Sequence, residues 1–217
     1  MSKIDKNLAD NRRVYEKNEL LESNISGNPI EVFQKWFLEA QKMESGEANA
    51  MNISTIGLDG FPKNRVVLLK RFTWEGFIFY TNYNSEKGKA IANNSKVSLS
   101  FFWQTLERQV IIKGVAEKIA ANLSDGYFES RPNGSKIGAW ASNQSEIIQS
   151  RLMLDEQLIT FEQKFKNKEI PRPENWGGYI IKPQVIEFWQ GRPNRMHDRI
   201  RYTLQGDCNW LIDRLQP

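Results

Sequence analysis

Residues 187–202, EFWQGRPNRMHDRIRY, set the architecture around which the rest of this chain is arranged. β-Branched and aromatic residues at 185–190 and 199–204 flank a turn at 191–194, a pattern that predicts an antiparallel hairpin. The crest of this hairpin carries five cationic or titratable residues: Arg192, Arg195, His197, Arg199 and Arg201. A charge cluster alone is more often a solvated loop. The indole of Trp189 and the imidazole of His197 beside planar guanidinium groups favour instead a site for a phosphorylated aromatic ligand.

Upstream of the hairpin, from residue 50 onward, the hydrophobic period is two, which is typical of strands. The pattern predicts strands at 51–57, 63–70, 77–81, 96–103 and 108–120, with turns at Asp59-Gly60 and Glu75-Gly76. Short connections imply antiparallel pairing, and the hairpins of residues 185–215 add enough strands to close or nearly close a barrel. Gly114 is expected to mark a bulge or bend. The predicted fold class is α+β, mainly antiparallel β, with peripheral helices.

Helices are predicted at four places in the chain. Asn28, Pro29 and Glu31 form a helix start, and apolar residues then recur at helical spacing as far as Met43. Further helices are expected at 85–93, 122–130 and about 145–168. The sequence shows no internal repeat or obvious domain boundary. It therefore predicts one domain over residues 1–217, in which residues 1–25 form a mobile N-terminal lid segment.

Composition limits the class of protein. With 217 residues the chain is long enough to bury a sizeable core without disulfides or a metal ion. Its single cysteine, Cys208, cannot form an internal disulfide. No apolar run approaches the ~18 residues that a membrane span needs, so a soluble, cytoplasmic protein is expected. The net charge of +4 and the pI near 9.1 favour anionic ligands without requiring nucleic acid.

The sequence lacks the motifs that are typical of several kinds of enzyme. The sequence contains no G-x-G-x-x-G, no Walker A and no G-x-S-x-G, and one histidine with one cysteine excludes the usual zinc spacings. No metal is expected. Redox chemistry would therefore need an organic cofactor.

Two segments suggest sites for phosphate. Ser85 begins a helix with Lys87 in its first turn, where free N–H groups favour an anion, although Glu86 could serve the helix dipole instead. Tyr127 and Arg131, spaced i, i+4, would share a helix face, and Ser135 could cap the next segment. The alternative is that Tyr127 and Arg131 only pack and pair on the surface.

The strand RVVLLK, residues 65–70, carries a cation at each end. Simple alternation would place Arg65 and Lys70 on opposite faces, so one site could use both only if the strand bends or is approached at its end. A buried strand with solvated ends is an equally good interpretation.

Six blocks of sequence together carry a resemblance to a known family. They are RVVLLK, FYTNYNSEKG, LERQVIIKG, YFESRPNGSKIGAWASNQS, WGGY and EFWQGRPNRMHDR, followed by WLIDRLQP at the end. In this order they resemble the pyridoxamine 5'-phosphate oxidase family over nearly the whole chain. The resemblance implies an FMN-binding split β-barrel and a homodimer with FMN at the interface. It also implies FMN-dependent oxidation of pyridoxamine and pyridoxine 5'-phosphate to pyridoxal 5'-phosphate, with O2 giving H2O2 and the amine releasing NH3.

The same resemblance assigns residues. It implies FMN contacts from Arg65, Val66, Val67, Leu68, Leu69, Lys70, Tyr80, Thr81, Lys87, Gln109, Gln144, Ser145, Trp189 and Arg199. It implies substrate contacts from Lys70, Tyr127, Arg131, Ser135, Arg195, His197, Arg12 and Tyr15, of which Arg195 and His197 are the catalytic pair over the pyridine ring.

The chain departs from the family pattern at two positions. Glu86 stands where many relatives have an arginine, so it is not expected to bind the flavin phosphate. Met196 replaces a leucine of similar volume, a change that we expect to be tolerated.

Two rival functions stay open at this point. One is a related split-barrel flavoprotein, such as a flavin reductase, which would lack the phosphate set of Tyr127, Arg131 and Ser135. The other is a basic barrel without enzymatic activity that binds single-stranded nucleic acid through stacked aromatic residues. The colour of the purified protein would separate the second from the first.

Overall fold

The computed structural model describes residue 8 and residues 13–217. Five α-helices and nine strands lie in the described part of the chain. In chain order they are α1 (Pro29–Met43), β1 (Ala50–Ile56), β2 (Pro62–Leu68), β3 (Arg71–Thr73), β4 (Gly76–Asn82), α2 (Glu86–Asn93), β5 (Lys96–Trp103), β6 (Arg108–Lys118), α3 (Ala121–Glu129), α4 (Asn133–Ala141), α5 (Arg151–Lys164), β7 (Trp176–Gln190), β8 (Asp198–Leu204) and β9 (Trp210–Leu215).

The strands form one sheet in the order β2-β1-β5-β6-β7-β4-β3, with β8 paired to β7 and β9 to β8. Antiparallel pairing is observed for β1–β2, β1–β5, β3–β4, β4–β7 and β8–β9. The predicted α+β class, mainly antiparallel β, is therefore confirmed. Within residues 8 and 13–217, no helix is long and apolar enough to cross a membrane.

By contacts, the chain divides into two compact units. The first contains the described residues up to Ala48, together with Phe102–Val110 and Glu187–Pro217, and the second contains Asn49–Phe101 and Ile111–Ile186. Strands β5, β6 and β7 contribute residues to both units. That residues 1–217 act as one domain stays a prediction.

The second unit has a core of large apolar side chains from successive strands. Its fully buried residues include Ile53, Phe77, Phe79, Leu99 and Ile112. Gly114 is required by a close approach of backbones, because a Cβ there would lie 2.3 Å from the carbonyl oxygen of Lys182. Burial of this kind fixes the strand register on which the side chains of the candidate site depend.

The first unit has its own core around α1. As predicted, Asn28 caps this helix, and its Oδ1 accepts a hydrogen bond of 2.9 Å from the amide of Ile30. Trp36 packs edge-on against Phe188 at 5.2 Å between ring centroids. The indole Nε1 of Trp103 donates to the carbonyl oxygen of Ala48 at 2.9 Å. These contacts hold the apolar stripe of α1 in the core of the unit.

Three predictions about the helices were wrong. The helix expected from about residue 145 is α5, which begins after its cap Ser150, because Ser145 has φ +75° and cannot continue a right-handed helix. Helix α4 was not predicted, and Ser135 lies inside it rather than capping it. Arg131 lies beyond the end of α3, so it does not share a helix face with Tyr127.

Candidate active site

The first turn of α2 is built by a buried cap. The Oγ of Ser85 accepts a hydrogen bond of 3.2 Å from the amide of Gly88 and donates one of 2.6 Å to the carbonyl of Asn82. This turn places Lys87 Nζ 3.0 Å from Gln144 Oε1 and 3.4 Å from Thr81 Oγ1. Both partners are neutral. Burial, and then the charge of Arg65, lower the pKa of Lys87, and Glu86 opposes them.

Arg131 is a second cation without a carboxylate partner among the described residues. Its guanidinium lies over the ring of Trp176 at 4.5 Å and over that of Phe128 at 5.5 Å. Its Nη1 is buried and has no hydrogen-bond partner among the described residues. Burial lowers the pKa of Arg131. A buried guanidinium N–H without an acceptor is costly, which suits this position to an anionic ligand.

One cavity of about 490 Å³ brings these cations together within the second unit. Its predicted cofactor residues are Val66, Val67, Leu68, Lys70, Tyr80, Thr81, Lys87 and Gln144, and its predicted substrate residues are Lys70, Tyr127, Arg131 and Ser135. Pro132 and Trp176 line it too. The ring of Tyr127 stacks on Tyr80 with 3.9 Å between centroids, which provides a flat aromatic wall.

Three of the other predicted cofactor residues belong to the same unit. Leu69 is buried in the core. The exposed guanidinium of Arg65 lies 3.1 Å from the carboxylate of Glu86, and Lys63 Nζ lies 3.3 Å from the same carboxylate. Ser145 lines a smaller cleft of about 280 Å³ together with Glu86. Glu86 is therefore engaged with two cations.

The hairpin crest belongs to the first unit. Trp189 and His197 have ring centroids 4.7 Å apart, and Tyr15 meets them edge-on at 5.7 and 5.9 Å. His197 Nδ1 accepts a hydrogen bond of 3.1 Å from the amide of Arg192, so neutral His197 carries its proton on Nε2. Burial, and then the charge of Arg195, lower the pKa of His197, whereas Asp198 opposes them.

A pocket of about 490 Å³ opens at this crest. Its lining consists of Arg13, Val14, Tyr15, Arg192, Asn194, Arg195 and His197. Asn194 and Arg195 have φ of +56° and +60°, a left-handed conformation that non-glycine residues rarely adopt and that often occurs at functional sites. Within the described residues, Arg195 makes no ion pair, so its charge is available to a ligand.

The other crest cations are already paired. Arg199 bonds to Glu187 at 2.8 Å, and Arg201 to Asp213 at 2.8 Å. Arg192 lies 3.6 Å from Asp198. The crest is therefore less positive than its composition suggests. Of the remaining predicted residues, Gln109 and Trp189 lie on β6 and β7, and Arg12 lies outside the described residues.

Within residues 8 and 13–217, no group of three or more His, Cys, Asp or Glu side chains could hold a metal ion.

Sequence reasoning missed Trp176 and Phe128 as supports for Arg131, because a cation lying over aromatic rings depends on tertiary packing.

Comparisons with known proteins agree on one family. The family model described as pyridoxamine 5'-phosphate oxidase matches residues 37–163, and the model described as pyridoxine 5'-phosphate oxidase C-terminal dimerisation region matches residues 176–217. A pyridoxine/pyridoxamine 5'-phosphate oxidase of Flavobacterium psychrophilum is 65% identical, over 98% of this chain and 100% of the relative. The protein of that name in Flavobacterium johnsoniae is 64% identical, over 96% of this chain and 98% of the relative.

Solved structures support the same fold. PhzG from Burkholderia lata 383, in complex with tetrahydrophenazine-1-carboxylic acid, has a TM-score of 0.85 at 26% identity, covering 92% of this chain and 98% of that one. A pyridoxamine 5'-phosphate oxidase-related, FMN-binding protein from Nostoc punctiforme has a TM-score of 0.69, covering 89% of this chain and 100% of that one. At 13% identity this second likeness concerns the fold alone. The predicted split β-barrel class is confirmed, and the chain belongs to the pyridoxine/pyridoxamine 5'-phosphate oxidase family.

Proposed function

We propose that this protein is an FMN-dependent oxidase that converts pyridoxamine 5'-phosphate and pyridoxine 5'-phosphate to pyridoxal 5'-phosphate. The observation that carries the proposal is the cavity of the second unit. There Lys70, Lys87 and Arg131 surround one space of about 490 Å³, and Arg131 has a buried Nη1 without a partner among the described residues. Three cations beside stacked aromatic rings suit ligands that combine a phosphate with a flat ring. The names of the relatives support the same substrates.

The residues present fit FMN. Lys87 is a half-buried ammonium whose hydrogen-bond partners in the described chain are neutral oxygens, and it lies in the first turn of α2, where free N–H groups favour an anion. We assign the flavin phosphate to Lys87 and Arg65. Following the resemblance to the family, we extend the proposed cofactor set to Tyr80, Thr81, Gln144, Ser145, Gln109, Trp189, Arg199 and residues 66–70. When bound, FMN would accept a hydride from the substrate, and dioxygen would reoxidise it with release of H2O2.

The chain's own groups bind and orient the substrate. In the proposal Lys70, Tyr127, Arg131 and Ser135 hold its phosphate. Anchoring one end lowers the entropy cost of presenting C4' in a reactive position. We assign Arg195 and His197 to the pyridine ring of the substrate. His197 could donate a hydrogen bond to it from Nε2, because Nδ1 already accepts from the amide of Arg192. With the amine substrate, water hydrolyses the oxidised imine to aldehyde and ammonia.

We propose further that the protein acts in the cytoplasm as a homodimer with FMN at the interface, without nucleic acid or membrane partners. The match of residues 176–217 to a dimerisation region supports the dimer. So does Val66, which is 68% exposed on β2, an edge strand of the sheet. Light scattering of the FMN-loaded protein should give twice the chain mass of 25.3 kDa. A monomer that still holds FMN would contradict the dimer.

Identification of the bound cofactor is the experiment that tests the proposed function. The purified or reconstituted protein should show a flavin absorption spectrum, and acid should release FMN, which chromatography distinguishes from FAD. A protein that binds FAD instead, or no flavin after reconstitution, would remove the proposal. A colourless protein whose binding to single-stranded nucleic acid falls steeply with salt would support the nucleic-acid alternative.

A further inference from the structure

Glu107 is a buried carboxylate that joins the N-terminal segment to the hairpin crest, within the first unit. The residue is 1% exposed and has φ +57° in the turn between β5 and β6. Its Oε2 accepts hydrogen bonds from the amides of Glu16 at 2.9 Å and Lys17 at 3.1 Å. Its Oε1 lies 3.7 Å from Arg13 Nη2. Three donors of the N-terminal segment thus meet one carboxylate.

The backbone of Glu107 is held from the other side by the crest. Its carbonyl oxygen accepts from the amide of Gly191 at 2.8 Å and from Gln190 Nε2 at 3.2 Å. Gln190 is fully buried, and its Oε1 accepts from Arg108 Nε at 2.8 Å. Arg108 in turn pairs with Glu39. This network leaves the carboxylate of Glu107 little freedom to follow the segment.

Tyr15 lies directly beside this anchor. It directly precedes the two amides that Glu107 binds, and its ring packs on Trp189 and His197. A Cβ at Gly191 would lie 2.7 Å from the Cβ of Tyr15 and 3.1 Å from that of Glu107, so the three residues are in close contact. The position of Tyr15 against the crest is therefore coupled to the bonds that Glu107 makes.

We propose that Glu107 is a positioning residue for the candidate active site, which fixes residues 13–17 so that Tyr15 closes against Trp189 and His197. A buried carboxylate is stable only with its hydrogen bonds made, so it favours the docked segment over an undocked one. The proposed effect on turnover rests on the proposed function. The effect on the protection of residues 13–17 does not depend on that function.

The direct test is the protection of residues 13–17 in the native protein. In Glu107→Gln the shape is kept, but the charge is lost and an NH2 group can face the two amides. Amide hydrogen exchange at Glu16 and Lys17, and trypsin cleavage after Arg13, should then be about ten- to hundredfold faster. Exchange and cleavage at the wild-type rate would overturn the proposal.

Glu44→Gln is the matched control. Glu44 belongs to the same unit, and its carboxylate accepts from the amide of Thr105 at 2.8 Å and from its hydroxyl at 3.0 Å. The variant weakens comparable bonds at a carboxylate that itself contacts none of residues 13–17. Its partner Thr105 meets the segment only through the bond of its carbonyl to Lys17 Nζ, which the Lys17→Ala variant below removes on its own. Protection of the segment should stay at the wild-type level, and an equal loss in both variants would show a general loosening that overturns the specific role of Glu107.

A second pair of variants covers the case in which Glu107→Gln does not fold. Lys17→Pro removes one of the two amides that bind the carboxylate, whereas Lys17→Ala removes only the side-chain bond of 2.7 Å to the carbonyl of Thr105. The proline variant should expose the bond after Arg13 about tenfold or more relative to the alanine variant. Equal cleavage of the two variants would overturn the proposal.

Turnover separates positioning from simple structural support. Glu107→Gln should lower kcat/KM by about tenfold or more, and this loss should disappear in a Tyr15→Ala background, because Glu107 acts through Tyr15. Losses that simply multiply would contradict the coupling. A wild-type protein with a protected segment but no oxidase activity would count against the proposed function alone.

Discussion

Arg131 and Lys87 each bring into the same cavity a positive charge that the described chain leaves without a carboxylate. Arg131 is held by aromatic faces, with Trp176 at 4.5 Å, and Lys87 by two neutral oxygens. The cost of burial lowers the pKa of both. An anionic ligand stabilises such buried cations more than it stabilises surface cations that already have a carboxylate partner. We therefore expect the two residues to serve two phosphates.

Substitution of these residues should separate the two phosphate sites. Loss of a charge-assisted hydrogen bond costs about 1.5–3 kcal/mol. Lys87→Ala should weaken FMN binding by about ten- to hundredfold, with oxidase activity largely restored by excess FMN. Arg131→Ala should keep FMN and raise KM, because ground and transition states share the phosphate contact. Arg195→Ala should keep FMN and lower kcat. If the arginine variants lose FMN while Lys87→Ala keeps it, the assignment is wrong.

The pKa of Lys87 predicts a pH dependence of FMN binding. Burial lowers this pKa in the free protein, and a bound phosphate would raise it, so binding in the interval between the two values takes up a proton. Below the lowered pKa the ammonium is fully present and affinity is highest. As pH rises through the interval, affinity should fall. Titration of the apoprotein with FMN at several alkaline pH values would measure this slope.

Lys87→Arg provides the control for that slope. A guanidinium stays protonated throughout the alkaline range, so FMN affinity in this variant should change little with pH. The same fall in both proteins would assign the slope to another group.

At the scale of the element, α2 shows how local structure serves the site. Its cap Ser85 is fully buried, and the turn that it stabilises carries Lys87 to Thr81 and Gln144. Gly88 is needed within this turn, because a Cβ there would lie 2.2 Å from the carbonyl oxygen of Tyr83. The start of α2 is therefore set by close packing as well as by the cap.

Removal of the cap should affect both stability and FMN binding. Ser85→Ala should lower the free energy of unfolding by about 0.5–2 kcal/mol and weaken FMN binding, because Lys87 loses its fixed turn. Ser150→Ala removes the corresponding bond at α5, where Ser150 Oγ accepts from the amide of Met153 at 3.2 Å, and should leave FMN affinity unchanged. Denaturant unfolding and FMN titration of both variants measure the two effects. Unchanged FMN affinity in Ser85→Ala would show that the cap does not contribute to FMN binding.

The sequence predicted those elements whose signals are local. The caps Asn28 and Ser85 and the strand Lys96–Trp103 were found because their patterns need no distant partner. The start of β7 at Trp176 was missed, since Gly177 and Gly178 resemble a loop. Cβ atoms there would lie 2.2 Å from the hydroxyl of Tyr83 and 2.5 Å from Ile119, so tertiary packing demands these glycines.

The candidate site was predicted in part for the same reason. Local motifs identified Lys87, Tyr127 and Arg131. They could not show that Arg131 lies over Trp176, that Arg65 pairs with Glu86, or that Glu107 binds the amides of residues 16 and 17. These contacts join residues far apart in the sequence, and only the folded chain defines them.

At the level of the whole molecule, family membership and the three cations that line the cavity of the second unit favour the proposed oxidation of phosphorylated substrates over other reactions. PhzG shares the fold, and its structure is a complex with tetrahydrophenazine-1-carboxylic acid. The cations Lys70, Lys87 and Arg131 in the cavity of this chain suit phosphorylated ligands better. Unphosphorylated pyridoxamine should therefore be a much poorer substrate than its phosphate ester.

The stoichiometry of oxygen uptake is the decisive test of the proposed oxidase activity. FMN-loaded protein supplied with pyridoxamine 5'-phosphate should consume O2 and form pyridoxal 5'-phosphate, H2O2 and NH3 in equal amounts. With pyridoxine 5'-phosphate the same products should appear without ammonia, since no amine leaves. A flavin-loaded, folded protein that consumes no O2 with either substrate, or that consumes it without forming pyridoxal 5'-phosphate, would contradict the account.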